Sequence, residues 1–300
     1  MPQSLTSIKE LLTARGLAPR KSLGQNFLVD HNLIRKLVDD AATRPGDLIL
    51  EIGPGTGVLT DELLERGCRV IACELDDGLY ALLQERLAPR LASGQLTLIR
   101  GDCLNGKRAL HPDLHELLSK PPSAASDSAP PLFRLIANLP YGAATPLMTN
   151  LLIDYPNCLS LHVTVQREVA DRLAAAPGAD EYGPLSVIAA SCAVAHKVAK
   201  LPPECFWPRP DVTSAMISLI RRPAPLTPRL HAFADFVQAV FERRRKQLGG
   251  ILREKFGIHE PFGYPEGITP QTRAENLSAP QLLALMSAVE TGNGRTSAVS

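Results

Sequence analysis

Two short stretches of this 300-residue sequence hold residue types that can do chemistry in combination. The first, Asn138-Leu139-Pro140-Tyr141, offers a side-chain amide, main-chain carbonyls and an aromatic ring in succession. An exocyclic amine on adenine is a poor nucleophile, because its lone pair is delocalised into the ring, and it needs acceptors. The Asn138 side-chain oxygen and a carbonyl of Leu139 or Pro140 can hold both amine hydrogens. The lone pair then faces an electrophile, and the acceptors stabilise the positive charge that develops on nitrogen. Tyr141 can stack on an unpaired base and fix its angle.

The second stretch is Glu51-Ile52-Gly53-Pro54-Gly55-Thr56-Gly57, between an apolar strand pattern and a helical one. Glycines such as Gly53 and Gly55 let a backbone approach a ligand closely, since no Cβ intervenes. A nicotinamide-binding fingerprint counted from Gly53 wants glycine or alanine where Val58 stands, which weakens a dinucleotide reading. Glu74 ends the next strand at about the spacing from the glycines, roughly 20 residues, at which an acid accepts from ribose hydroxyls. Asp102 ends the third strand, where a carboxylate can accept from an adenine amino group. The loop and two acids at three successive strand ends are far more specific than any one of them.

The elements that must position these residues are legible from periodicity. Apolar runs alternate with amphipathic stretches through the first two thirds, the pattern of βαβ units and an open, mostly parallel sheet. Strands are expected at 48–52, 69–73, 96–99, 134–137 and 159–166, with helices at 58–66, 78–87 and 167–175 between or after them. A short helix at 185–192 should precede two strands, 194–201 and 212–220, whose proline-rich link suggests an antiparallel hairpin at the sheet edge. Residues 119–131 are too poor in large apolar groups to pack a core and are expected to form a mobile surface insertion. Beyond Arg221-Arg222-Pro223 the pattern turns helical, with Phe233, Phe236, Val237, Val240 and Phe241 on one face. The expected division is therefore 1–222, a helical domain at 223–290, and a disordered tail at 291–300.

A composition of 45% hydrophobic and 21% charged residues describes a globular chain, and no stretch resembles a secretory leader or a membrane span. A cytoplasmic protein without membrane attachment is expected. The six cysteines form no C-x-x-C pair and read as reduced, buried, small side chains. His111 and His115 stand at i and i+4 but lack further ligands, so no metal is expected. A net charge of +1 decides nothing about nucleic acid; the local run Arg243-Arg244-Arg245-Lys246 is the candidate phosphate-binding cluster.

In the order Leu23-Gly24-Gln25-Asn26-Phe27-Leu28, the glycine loop, Glu74-Leu75-Asp76, Gly101-Asp102 and Asn138 to Tyr141, the sequence resembles the ribosomal RNA small-subunit adenine N6-dimethyltransferases (KsgA/RsmA family). The likeness continues through Tyr182-Gly183, Phe206-Trp207-Pro208-Arg209-Pro210, Arg244-Arg245-Lys246 and Arg273-Ala274-Glu275-Asn276-Leu277. It implies a Rossmann-like class I methyltransferase sheet with a small C-terminal all-α domain, using S-adenosyl-L-methionine and releasing S-adenosyl-L-homocysteine. It implies that Asn26, Leu28, Gly53, Gly55, Glu74, Asp102 and Asn138 contact the cofactor, and that Asn138, Leu139, Pro140 and Tyr141 position the base with Phe206 packing against it. The implied substrate is 16S rRNA in the immature small subunit, bound by a monomer. Gly142-Ala143-Ala144 departs from the Asn-Ile-Ser/Thr common in that family. A large-subunit RNA adenine methyltransferase of the antibiotic-resistance type, or a mainly non-catalytic ribosome assembly factor, remains the alternative. DNA adenine methylation is disfavoured by the tetrapeptide.

Overall fold

The computed structural model describes residues 4–120 and 129–296. In chain order the first elements are α1 (Leu5–Thr13), β1 (Phe27–Leu28), α2 (His31–Asp40), β2 (Leu48–Ile52), α3 (Val58–Glu65) and β3 (Arg69–Glu74). There follow α4 (Asp77–Arg86), α5 (Ala88–Ala92), β4 (Leu96–Arg100), α6 (Pro112–Ser119), β5 (Phe133–Asn138), α7 (Tyr141–Asp154), β6 (Cys158–Gln166) and α8 (Arg167–Leu173). The last third holds α9 (Pro184–Cys192), β7 (Ala193–Leu201), β8 (Phe206–Trp207), β9 (Ser214–Arg221), α10 (Leu230–Phe241), α11 (Leu248–Phe256) and α12 (Ala279–Thr296).

Seven strands form one sheet in the order β4-β3-β2-β5-β6-β9-β7. Strands β2 to β6 pair in parallel, whereas β9 runs antiparallel to β6. All five residues of β2 are buried, Glu51 among four apolar ones, as a central parallel strand covered on both faces requires. From β2 the chain builds outward to β3 and β4, then returns to lay β5 and β6 on the other side. This reversal opens a crevice beyond the carboxyl ends of β2 and β5, where open α/β sheets bind ligands. The glycine loop leaves β2, and Asn138 ends β5, so topology alone brings the two chemical stretches together. Ile8, Leu12, Ile34, Leu37, Leu63 and Leu82 from α1 to α4 pack with Ile49, Val70 and Ile136 to hold the sheet.

The expected strand pair at the sheet edge is present: β7 is one edge of the sheet, β9 is its neighbour, and β9 joins it to β6. The proline-rich link contains β8, which leaves the sheet to pair antiparallel with β1, Phe27 opposite Trp207 and Leu28 opposite Phe206.

The chain divides into two compact units, Met1–Ala170 with His196–Arg221, and Asp171–Ala195 with Arg222–Ser300. Asp171–Ala195 thus groups with the helical part, not with the residues preceding it as expected. The cause is packing: α9 lies against α10 and α12, and the Tyr182 hydroxyl donates to the Leu277 carbonyl at 2.7 Å. The apolar positions expected on α10 are all buried. Helix α12 runs to Thr296, past the expected end at 290. Of the stretch 119–131, residues 121–128 lie outside the described residues. All six cysteines are free, and only Cys205 is not fully buried. No described helix is long and apolar enough to cross a membrane.

Candidate active site

Glu74, the last residue of β3, is 4% exposed and accepts backbone N–H bonds on both oxygens. Gly55 N–H donates to Oε2 at 3.0 Å and Asp76 N–H to Oε1 at 2.9 Å. Burial pushes its carboxyl above the usual range, and those N–H bonds oppose the shift. The glycine loop and the acid are therefore one assembly. Gly53 has φ +68°, and a Cβ there would sit 3.1 Å from Pro140 Cγ. Only a glycine lets the β2 loop and the Asn138 turn approach this closely.

Asn138 points its amide in a defined direction. Its Nδ2 donates to the Asn26 carbonyl at 2.9 Å, which leaves Oδ1 as the acceptor turned elsewhere. Asn26 belongs to a segment fastened at several points. Its own Nδ2 donates to the Gly24 carbonyl, Gln25 Nε2 donates to Asp76, and the Arg20 guanidinium pairs with Asp76 at 3.2 Å. Asp76 in turn caps α4 through Gly78 and Leu79 N–H. The strap over the crevice is thus tied both to the β3 end and to the Asn138 turn.

A cleft of about 480 Å³ is lined by Asn26, Gly53, Gly55, Glu74, Asp102 and the turn from Asn138 to Tyr141. Asp102 is exposed, and its Oδ1 accepts from Leu104 N–H at 2.9 Å. Leu75, to which no role was assigned from sequence, is 48% exposed on this cleft, with Cys103 and Leu104 also on its wall. An apolar residue just outside a strand end carried no periodic signal. Acceptors for hydroxyls, an apolar wall and a glycine cradle fit a nucleoside-bearing cofactor such as S-adenosylmethionine.

Two of the expected site residues do not line this cleft. Leu28 borders a separate 40 Å³ cavity behind the glycine loop, and Phe206 is 4% exposed and lines no part of the cleft. They are each other's cross-strand partners in the β1–β8 clip, whose Phe27 and Trp207 rings stack at 6.2 Å. The clip fixes the chain immediately after Asn26. His111 Nδ1 accepts Asp113 N–H to cap α6, and His115 Nδ1 bonds the Tyr155 hydroxyl at 2.8 Å.

The run 243–246 lies in the turn between α10 and α11, not on a helix face. Arg244 is committed to Glu275 at 2.7 Å and to the Asp180 and Ala179 carbonyls. Arg243 and Lys246 both pair with Glu254, while Arg245 is exposed.

A family model described as ribosomal RNA adenine dimethylase matches residues 16–290. The chain belongs to that family. A relative from Phenylobacterium zucineum, named ribosomal RNA small subunit methyltransferase A, is 40% identical over 287 residues, covering 95% of this chain and 93% of that protein. One of the same name from Streptomyces avermitilis is 38% identical, covering 90% and 88%. Among solved structures, a dimethyladenosine transferase from Plasmodium falciparum superposes with a TM-score of 0.67 at 22% identity, covering 88% of this chain and 97% of that one. The 23S rRNA methyltransferase ErmE gives 0.61 at 24% identity, covering 88% and 100%. At such identities these two bear on the fold alone.

Proposed function

We propose that this chain dimethylates N6 of adjacent adenosines in a loop near the 3′ end of 16S rRNA, acting as a cytoplasmic monomer on immature small subunits. The observation that carries the reading is the orientation of Asn138: its donor is spent on Asn26, so its acceptor is left for an amine hydrogen. The second acceptor follows from the helix beside it. The Pro140 carbonyl takes the N–H groups of Ala143 and Ala144 in the first turn of α7, which leaves the Leu139 carbonyl for the other hydrogen.

When bound, S-adenosylmethionine supplies an electrophilic methyl on sulfur. Glu74 would hold its ribose, Asp102 its adenine amino group, and Leu75 and Leu104 the faces of its base. Asn138 and Leu139 orient the target nitrogen, and Tyr141 stacks on the flipped-out purine. Holding the reacting atoms in line supplies roughly 7–11 kcal/mol of the barrier reduction. The surplus proton on a methylated N6 is acidic enough to leave to water, so no side chain is assigned as a base. The names of the relatives favour the small subunit, and Arg243, Arg245 and Lys246 are the phosphate contacts of the reading.

The test is nucleoside mass spectrometry after incubation with labelled cofactor and either immature small subunits or large-subunit RNA. N6-dimethyladenosine in the former alone supports the reading; label only in large-subunit RNA overturns it. Asn138→Ala should still bind subunits while transferring no methyl.

A further inference from the structure

Tyr141 is held at both ends. Its backbone opens α7 directly after Pro140, and its hydroxyl shares a 2.9 Å hydrogen bond with the hydroxyl of Ser214. Ser214 is fully buried at the first position of β9, opposite Gln166 of β6, so it moves only with the sheet. Helix α7 itself does little to hold the ring. The next residues are Gly142 and Ala143, and even a Cβ added at Gly142 would touch nothing within 4 Å. A ring with small neighbours on its own helix has several rotamers open to it, and an anchored hydroxyl selects one.

We propose that Ser214 is a positioning residue for methyl transfer: its buried hydroxyl sets the tilt of the Tyr141 ring and with it the plane in which the target purine stacks. This rests on the adenine-N6 reading above. Neither the spacing of the two residues in the chain nor the cleft lining reveals it, because Ser214 acts through another side chain. Loss of the hydroxyl pair leaves the ring present and the cofactor contacts intact. Stacking geometry alone changes.

The experiment compares the parent, Tyr141→Phe, Ser214→Ala and the double variant in single-turnover methylation of immature small subunits. Cofactor affinity is followed by calorimetry, and base stacking by the fluorescence of an RNA hairpin with 2-aminopurine at the target position. Each single change is expected to slow transfer about three- to tenfold. The double variant should lose no more than the slower single, because both remove the same bond. Cofactor affinity should stay at the parent value while 2-aminopurine quenching weakens in all three variants. Tyr141→Phe leaves Ser214 in place, so it carries the same expectation should Ser214→Ala fold poorly. Parent-like rate and quenching in Tyr141→Phe, or a double variant whose loss is the product of the singles, would overturn the proposal. A parent protein that methylates no adenine sinks the underlying reading instead.

Discussion

Glu74 accepts through both oxygens from groups that cannot turn away, the N–H of Gly55 and of Asp76. A glutamine at this position presents one oxygen and one NH2, so one of the two N–H donors would face another donor. The usual conservative change is therefore not conservative here. Glu74→Gln should weaken cofactor binding by about tenfold or more, since a charged acceptor for the ribose hydroxyls becomes a neutral amide and a hydrogen bond to a charged group contributes roughly 1.5–3 kcal/mol. Titration calorimetry with S-adenosylmethionine measures it, and an unchanged Kd would detach Glu74 from the cofactor.

Glu51, on the neighbouring strand, behaves differently. It is buried, and burial lifts its carboxyl to about 8 despite the 2.7 Å bond donated by the Thr60 hydroxyl. The folded state therefore keeps a proton that the unfolded state gives up between about pH 4.5 and 8. Bound protons are then fewer in the unfolded chain, and this group makes stability fall as pH rises across that window, levelling above it. Glu51→Gln preserves the acceptor for Thr60 and removes the titration. Urea melts at pH 5 and pH 8 should show the variant gaining on the parent toward pH 8; a gap that stays constant would place the Glu51 carboxyl in the ordinary range.

At the scale of elements, the site is the meeting of the ends of β2, β3, β4 and β5 with a strap, and its parts were unequally legible. Asn138, Glu74 and Gly53 stood out because their chemistry needs a particular residue type at a strand end, and the positions of those ends follow from alternation. Leu28 and Phe206 did not, because an apolar residue is the same letter whether it faces a base or a partner strand. Two-residue strands such as β1 and β8 have no period to detect, and their pairing spans most of the chain. Phe206→Leu separates the two roles. As part of the clip, Phe206 tolerates an apolar replacement at a cost under about 1.5 kcal/mol. As a stacking partner it would forfeit the roughly 1–3 kcal/mol that an aromatic contributes per base. The expected result is a melting temperature lowered by a few degrees with RNA affinity and turnover within about threefold of the parent; a drop beyond tenfold in RNA affinity with stability unaltered would return Phe206 to the base.

At the scale of the molecule, the basic run shows why composition could not assign the RNA surface. Four adjacent cations read as one patch, yet the fold divides them. Arg244 ties the turn between α10 and α11 to Glu275 and to the carbonyls at 179 and 180, all within the second compact unit. Arg243 and Lys246 share Glu254, and Arg245 extends into solvent. Stability and RNA affinity should accordingly separate along the run. Arg244→Ala leaves two carbonyls without their donor and Glu275 with only the 3.8 Å pairing to Arg273, and is expected to lower the melting temperature, with little change in the salt dependence of RNA binding. Arg245→Ala removes one phosphate contact from a side chain that braces nothing. Its melting temperature should match the parent, while the slope of log K against log salt shallows by about 0.7–0.9, the release of one counterion's worth. Filter binding across a salt series reads the slope directly. Were Arg244→Ala to flatten it at unaltered stability, the ion pair with Glu275 would open on RNA and the division drawn here would fail.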